Sequence, residues 1–128
     1  MKIDVRVFDL LDGIARSYKI SDIEWAEAAE IRRPTIPELR RLSRVVVRGG
    51  DQRAVKRACT LEKILKLYAG LRVKVGDPVV KEALRNFIET ERDQNLRLQL
   101  LLLMLRYTKA ETKDEAETML RSVLKAAD

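Results

Sequence analysis

The fold is decided by one segment, Trp25-Ala-Glu-Ala-Ala-Glu30-Ile-Arg-Arg-Pro-Thr35-Ile-Pro-Glu-Leu39. It directly follows Ser21-Asp-Ile-Glu24, a capping box in which a Ser hydroxyl accepts from the amide three residues on and a Glu side chain reaches back. Ala26 is small enough to let two helices approach closely, and Ile31 stands at the bend between them. The segment therefore predicts two short helices joined by a tight turn.

Composition and periodicity predict helices on both sides of this segment. The chain has 128 residues, 36% of them charged and 46% apolar, with only five Gly and three Pro. This composition predicts an all-α protein and argues against a β-sandwich and against collagen-like or wholly disordered chains. The first helix, capped by Asp4, shows a predicted apolar face of Val7, Leu10, Leu11, Ile14, Ala15 and Tyr18.

The remaining stretches give less uniform signals. A fourth helix is predicted within 52–69 and ends at Gly70, a fifth runs unbroken over 78–107, and a last one covers 113–127. Residues 44–50, with the sequence RVVVRGG, stay open between a short strand, a loop and a fraying helix end, and the conformation of 44–51 is undecided.

Several kinds of chemistry are excluded by what the sequence lacks. There is no His and only one Cys, Cys59, which we expect to be a small packed thiol. His-based acid–base chemistry, His metal sites and Cys–His nucleophiles are therefore ruled out, and no Gly-rich phosphate loop occurs. We expect no enzyme activity, no cofactor and no metal. The nearly apolar run 98–105 is less than half of the roughly 20 residues that a membrane span needs. We expect a cytoplasmic protein that does not enter a membrane.

Positive charge is concentrated in one part of the chain. The net charge is +6, yet residues 1–81 carry +7 and residues 82–128 carry −1. Between 32 and 57, nine basic residues are opposed only by Glu38 and Asp51. The nine are Arg32, Arg33, Arg40, Arg41, Arg44, Arg48, Arg53, Lys56 and Arg57. Because Arg suits bidentate contacts with phosphate and guanine, the cluster predicts a site for a polyanion.

The two-helix segment resembles the lambda-repressor-like (XRE-type) helix-turn-helix family, whose pattern is Leu-Ala-x-x-x-Gly-Val-Ser-x-x-Thr-Ile-Ser. Trp25 stands at the Leu of this pattern, Ala26 at the Ala and Ile31 at the Val, while Thr35 and Ile36 stand at the Thr-Ile. Residues 60–71 look like the family's fourth helix and the turn after it. The resemblance covers about residues 5–75 and implies that a third helix enters the major groove of DNA.

The resemblance also implies a set of contact residues. Bases would be contacted by Arg33, Pro34 and Glu38, with Arg32 at the helix cap and Thr35 beside the phosphates. Further phosphate contacts would come from Arg40, Arg41, Arg44 and Arg48.

Three positions depart from the family pattern. Glu30 replaces the usual turn Gly and is expected to need a positive φ or a different turn. Arg32 replaces the Ser or Thr cap. Asp22 stands where the family often has a Gln that faces phosphate, and an acid at that position would repel DNA.

The start of the third helix stays open between two residues. The family register begins it at Arg33, whereas Thr35-Ile-Pro-Glu38 is a second capping box that begins it at Ile36. Pro34 and Pro37 disfavour helical geometry in the residues before them, so neither start is free of conflict.

We expect two parts, a DNA-binding domain over 1–76 and a helical dimerisation tail over 77–128. Apolar residues between Leu96 and Leu105 occupy more than one helix face, which predicts burial on several sides and a homodimer formed through 78–128. The expected function is sequence-specific binding of double-stranded DNA by a repressor-like transcriptional regulator. The alternatives are an antitoxin that binds DNA and a toxin protein, an adaptor whose Arg patch meets an acidic protein, and an RNA binder that reads shape.

Overall fold

The computed structural model of the protein describes residues 3–47 and 59–107. Within these ranges the chain is all-helical, as predicted. The helices are α1 (Val5–Ser17), α2 (Asp22–Ala29), α3 (Thr35–Val47), α4 (Leu61–Val75), α5 (Asp77–Thr90) and α6 (Gln94–Tyr107). The chain divides into two compact units, Met1–Val80 and Lys81–Asp128, with the division inside α5. The domain boundary expected at 76 stays a prediction.

Short polar side chains cap the first turns of α1, α2 and α4. The Asp4 carboxylate accepts from the amide of Arg6 at 2.9 Å, and the Ser21 hydroxyl accepts from the amide of Glu24 at 3.1 Å. Both caps were predicted from the sequence and are confirmed. Thr60 caps α4 in the same way by accepting from the amide of Lys63. These contacts satisfy amides that have no partner within the helix.

Both turns that flank α2 contain a residue in the left-handed conformation, Lys19 with φ 55° and Glu30 with φ 56°. After α1, the Ile20 amide donates to the Ala15 carbonyl, and after α2, the Ile31 amide donates to the Ala26 carbonyl. Each of these bonds spans five residues of the chain, and a second bond that spans three residues accompanies it. Together the two bonds form the Schellman motif, in which the residue with positive φ is usually Gly. The positive φ expected for Glu30 is confirmed.

Replacing Glu30 by Gly is therefore expected to stabilise the protein, and Lys19→Gly to do the same. A side chain in the left-handed region costs about 1 kcal/mol that Gly avoids. Urea unfolding followed by circular dichroism measures the change, and the two variants together should gain about twice the single effect. A loss of stability in either variant would mean that its side chain makes contacts worth more than the strain.

The core of the first unit is organised around Trp25. Its ring stacks on Phe8 with centroids 6.1 Å apart, and its indole Nε1 donates to the carbonyl of Leu67 at 2.9 Å. Trp25 thus joins α1, α2 and α4 and is fully buried. Among the described residues, the helix pairs with the more extensive contacts are α2 with α4, α1 with α3, α1 with α4 and α2 with α3.

Gly70 has a different role from the one predicted. It was expected to end the fourth helix, but α4 continues to Val75 and ends at Gly76, whose φ is +106°. A Cβ built on Gly70 would lie 2.8 Å from the backbone nitrogen of Ala29 and 3.0 Å from its Cα. Gly70 therefore permits the close approach of α2 and α4.

The apolar face predicted for α1 is right in part. Val7, Leu11, Ile14 and Ala15 are buried, whereas Tyr18 is 54% exposed because it follows the last residue of the helix. Phe8, which the predicted face leaves out, is fully buried against Trp25. The buried side of α1 is therefore centred closer to Phe8 than the sequence pattern indicates.

The unbroken helix predicted over 78–107 is wrong. Residues 91–93 separate α5 from α6. The Thr90 hydroxyl donates back to the Asn86 carbonyl at the end of α5, and the Asp93 carboxylate accepts from the amides of Asn95 and Leu96 at the start of α6. Asp93 is thus an N-cap inside a segment whose apolar spacing continues across the break.

Apolar side chains of α6 are buried on more than one face, as predicted. Leu100, Leu101, Leu103 and Met104 are each at most 3% exposed in the single chain. Their burial does not in itself require a second subunit, and the homodimer stays a prediction. The helix predicted over 113–127 lies outside the described residues. Among the helices of 3–47 and 59–107, none has both the length and the apolar character that a membrane span requires.

Candidate nucleic-acid interface

The helix α3 begins at Thr35, between the two starts that the sequence left open. The Glu38 amide donates to the Pro34 carbonyl at 3.1 Å, which is the first bond of the helix, and the Thr35 amide donates to the Arg32 carbonyl. Thr35 is therefore the first helical residue and not the residue before the helix. Pro34 stands where a missing amide hydrogen costs nothing, because early helix amides have no partner within the helix.

Arg32 and Arg33 lie in the connection just before α3, and both side chains are exposed. The guanidinium Nη2 of Arg33 is 3.6 Å from Glu27 Oε1, with the two side chains 70% and 66% exposed. An ion pair this long and this exposed contributes little to stability. Arg32 and Arg33 thus precede the N-terminus of α3 as exposed residues, and the contact of Arg33 with Glu27 is weak.

The outward face of α3 carries charged side chains at helical spacing. Glu38, Arg41 and Arg44 are exposed there, together with Pro34 and Pro37. The opposite face is apolar and buried, and its residues are Ile36, Leu39 and Leu42. α3 therefore presents one polar ridge and packs with the other side, as expected of an amphipathic surface helix. The segment 44–47, undecided from the sequence, is helical.

Arg40 does not belong to this exposed ridge. Its Nε and Nη2 donate to the two carboxylate oxygens of Asp12 at 3.0 and 2.8 Å, and its Nη1 and Nη2 donate to Asp22 at 3.1 and 2.9 Å. Hydrogen bonds to Asp12 and then to Asp22 raise the pKa of Arg40 further above its already high value. A guanidinium held in two bidentate pairs has little left to offer a phosphate.

The Arg40 contacts also change the reading of Asp22. Its sequence position suggested an acid that would repel DNA, but its carboxylate oxygens accept from Arg40. Asp12 is 2% exposed and also lies 3.3 Å from the Nη2 of Arg16. The two acids and Arg40 form what we call the Arg40 bridge, which joins α1, α2 and α3.

A second polar contact links α3 to α1. The Ser43 hydroxyl, 5% exposed, lies 2.6 and 2.7 Å from the carboxylate oxygens of Asp9. In α3, Ser43 follows Arg40 by three residues, whereas in α1 its partner Asp9 precedes Asp12 by three residues. The two contacts therefore pair α1 and α3 in opposite chain directions. They fix the register of α3 on α1.

Sequence reasoning missed the Arg40 bridge and the Ser43 contact. A signal existed in α1, where Asp12 lies at i+4 from the buried Phe8 and at i−3 from the buried Ala15. An acid at such a position needs a buried cation or hydrogen-bond donor. What the sequence does not indicate is which of the many Arg residues provides it.

The other predicted contact residues have different positions. Thr35 is half-buried, and Arg48 lies outside the described residues together with Arg53, Lys56 and Arg57. Five of the predicted contact residues with charged side chains are therefore exposed just before α3 or along its outer face: Arg32, Arg33, Glu38, Arg41 and Arg44. The side chain of Arg40 instead points inward, towards Asp12 and Asp22.

Cys59 and Tyr68 lie in the interior. Cys59 is 2% exposed, and burial, with smaller effects of Asp4 and Asp9, raises the pKa of its thiol to about 12. The expected role of a small packed thiol is confirmed. Tyr68 is buried, its pKa is raised to about 12 mainly by burial, and the guanidinium of Arg72 lies 5.7 Å from its ring centre. Neither side chain is placed to stack on a nucleic-acid base.

Comparison with protein-family models, with curated proteins and with solved structures finds no match to this chain. The resemblance to the helix-turn-helix family therefore stays a prediction. A function must be supported by the placement of the charged residues around α3.

Proposed function

We propose that this protein binds double-stranded DNA as a transcriptional regulator, with α2, the turn and α3 acting as a helix-turn-helix and α3 lying in the major groove. The observation that carries the proposal is the outer side of α3. It exposes Arg41 and Arg44 along the helix, while Arg32 and Arg33 are exposed immediately before its N-terminus.

The position of Arg32 and Arg33 favours a bound anion. A helix N-terminus is already positive, so cations beside it cost a few tenths of a kcal/mol up to about 1 kcal/mol. A phosphate held by the two guanidiniums at this positive end of the helix would convert this cost into a gain. The Arg33–Glu27 pair is exposed and 3.6 Å long, so it offsets little of the repulsion.

The exposed residues divide into two kinds of contact in this proposal. Arg33, Pro34 and Glu38 lie at the start of α3, where base edges would be reached, and a Glu accepts from the amino group of cytosine. The phosphates would be contacted by a second group of residues, which are Arg32, Thr35, Arg41, Arg44 and Arg48. Arg40 makes no direct contact with DNA.

The proposal includes a homodimer formed through residues 78–128. Two copies related by a two-fold axis would place two α3 helices about one DNA turn apart, roughly 34 Å, so that they enter successive major grooves. Sedimentation equilibrium at micromolar concentration, with and without duplex, measures the association. A monomer under both conditions would remove the dimer from the proposal and leave the DNA surface to be judged by binding.

Fluorescence anisotropy with a labelled random-sequence duplex tests the proposed function. The same strand alone and a duplex RNA of equal length serve as controls for shape and backbone. With five to eight phosphates neutralised per dimer, log K should fall with log salt at a slope of roughly −5 to −7, and duplex DNA should bind most tightly. No binding to any of the three at low salt would favour the adaptor, whose Arg patch meets an acidic protein. A preference for duplex RNA would favour the alternative of a protein that binds RNA by recognising its shape.

A further inference from the structure

We infer that Arg40 is a positioning residue, which sets the orientation in which α3 presents Arg41 and Arg44. The inference rests on the proposed function, because the property that Arg40 controls is the binding of duplex DNA. Arg40 acts through the Arg40 bridge and not through a contact with the nucleic acid.

The geometry of the Arg40 bridge fixes the orientation of α3 relative to both α1 and α2. The Asp12 carboxylate comes from α1 and the Asp22 carboxylate from the first residue of α2, and each accepts two hydrogen bonds from the same planar guanidinium. Paired parallel bonds of this kind specify angle as well as distance. A single side chain of α3 is thereby aligned against two neighbouring helices at once.

Apolar packing alone would hold α3 less specifically. Ile36, Leu39 and Leu42 bury the inner face of the helix, but apolar contact is non-directional and allows rotation about the helix axis. The Arg40 bridge and the Ser43–Asp9 contact resist that rotation from one side of α3. Because Arg41 is the residue after Arg40 in the same helix, a rotation of α3 about its axis would also change the direction in which the Arg41 side chain points.

The test compares duplex binding of variants by anisotropy, at temperatures where circular dichroism shows each to be fully folded. Arg40→Gln removes the bridge, and Arg40→Lys keeps the charge but cannot make two bidentate pairs. Both are expected to bind about tenfold more weakly than the wild type. Full affinity in Arg40→Lys would overturn the inference, because charge alone would then suffice.

Arg16→Gln is the matched control. Arg16 also lies against Asp12, at 3.3 Å, but it belongs to α1 and its side chain is 66% exposed. The substitution removes the same charge and a contact with the same carboxylate without touching α3. Its affinity should stay close to that of the wild type, and a loss equal to that of Arg40→Gln would overturn the inference.

The salt dependence separates positioning from phosphate contact. Arg40→Gln should leave the slope of log K against log salt unchanged, whereas Arg41→Gln, which removes a proposed phosphate contact from each subunit, should reduce it by about 2 in the dimer. A slope reduced by about 2 in Arg40→Gln would mean that Arg40 contacts a phosphate, and the inference would be wrong.

The double variant Asp12→Asn/Arg40→Gln guards against loss of folding. It leaves no buried carboxylate without a partner and keeps the net charge of the wild type. It is expected to bind duplex about tenfold more weakly and, without DNA, to show residual dipolar couplings that report a changed orientation of α3 relative to α1, rotation of α3 about its own axis included. An unchanged orientation overturns the inference. If the wild type binds no duplex, the proposed function fails, and the measured orientation alone decides whether Arg40 positions α3.

Discussion

Charge reversal at two exposed arginines, Arg33→Glu with Arg41→Glu, is expected to abolish measurable binding to duplex DNA while the helices stay folded. Both side chains are exposed, and the contact of Arg33 with Glu27 is a 3.6 Å surface pair. Folding therefore depends little on either of them. In each subunit a lost contact with DNA costs about 1–3 kcal/mol, so the two substitutions together cost about 2–6 kcal/mol per subunit, and repulsion adds to this. Anisotropy with the random-sequence duplex measures the loss.

The control for this variant reverses the same amount of charge elsewhere. Lys66 and Lys74 are exposed on α4, outside the proposed surface. Lys66→Glu with Lys74→Glu should weaken binding only modestly, because long-range attraction falls while the contacts remain. If duplex binding survives in the Arg33→Glu/Arg41→Glu variant, or if both variants lose it equally, the outer side of α3 is not the DNA surface.

The second large effect is expected at Gly70. In Gly70→Ala the new methyl would meet the Ala29 backbone at 2.8 Å, and neither helix has a flexible side chain there that can move aside. Overpacking costs up to about 3 kcal/mol, from which about 1 kcal/mol is recovered as helix propensity. We expect a net loss of about 2 kcal/mol in the free energy of unfolding, measured by urea denaturation.

Gly13→Ala provides the matched comparison within the same unit. Gly13 lies in α1, and a Cβ built on it has nothing within 4 Å. This substitution should stabilise the protein by about 1 kcal/mol, since only the helix propensity changes. If both substitutions have the same sign, close approach of α2 and α4 is not what keeps residue 70 a glycine.

Local patterns in the sequence predict much of this fold. The caps at Asp4 and Ser21 depend on residues two or three positions apart, and the positive φ at Glu30 depends on a single turn. The break between α5 and α6 was missed for a related reason. Apolar spacing continues across 91–93, and only the cap at Asp93 marks a new helix.

Prediction of the site stops where contacts between distant residues begin. The exposure of Arg41 and Arg44 follows from the helical period of α3. The inward direction of Arg40 depends on Asp12, 28 residues earlier, and on Asp22, 18 residues earlier. Periodicity describes one helix at a time, so it identifies a half-buried position but not the carboxylates that meet it.

The burial of Asp12 has a consequence for how this chain can change over evolutionary time. Loss of Arg40 alone leaves a carboxylate that is 2% exposed without its main partner. Breaking a buried ion pair in this way costs about 3–5 kcal/mol, a large share of the roughly 5–15 kcal/mol that stabilises a typical domain. Positions 12 and 40 are therefore expected to be substituted together, through a paired change to neutral residues. A single substitution at position 40 is expected to persist only where earlier substitutions have raised the free energy of unfolding enough to offset this loss.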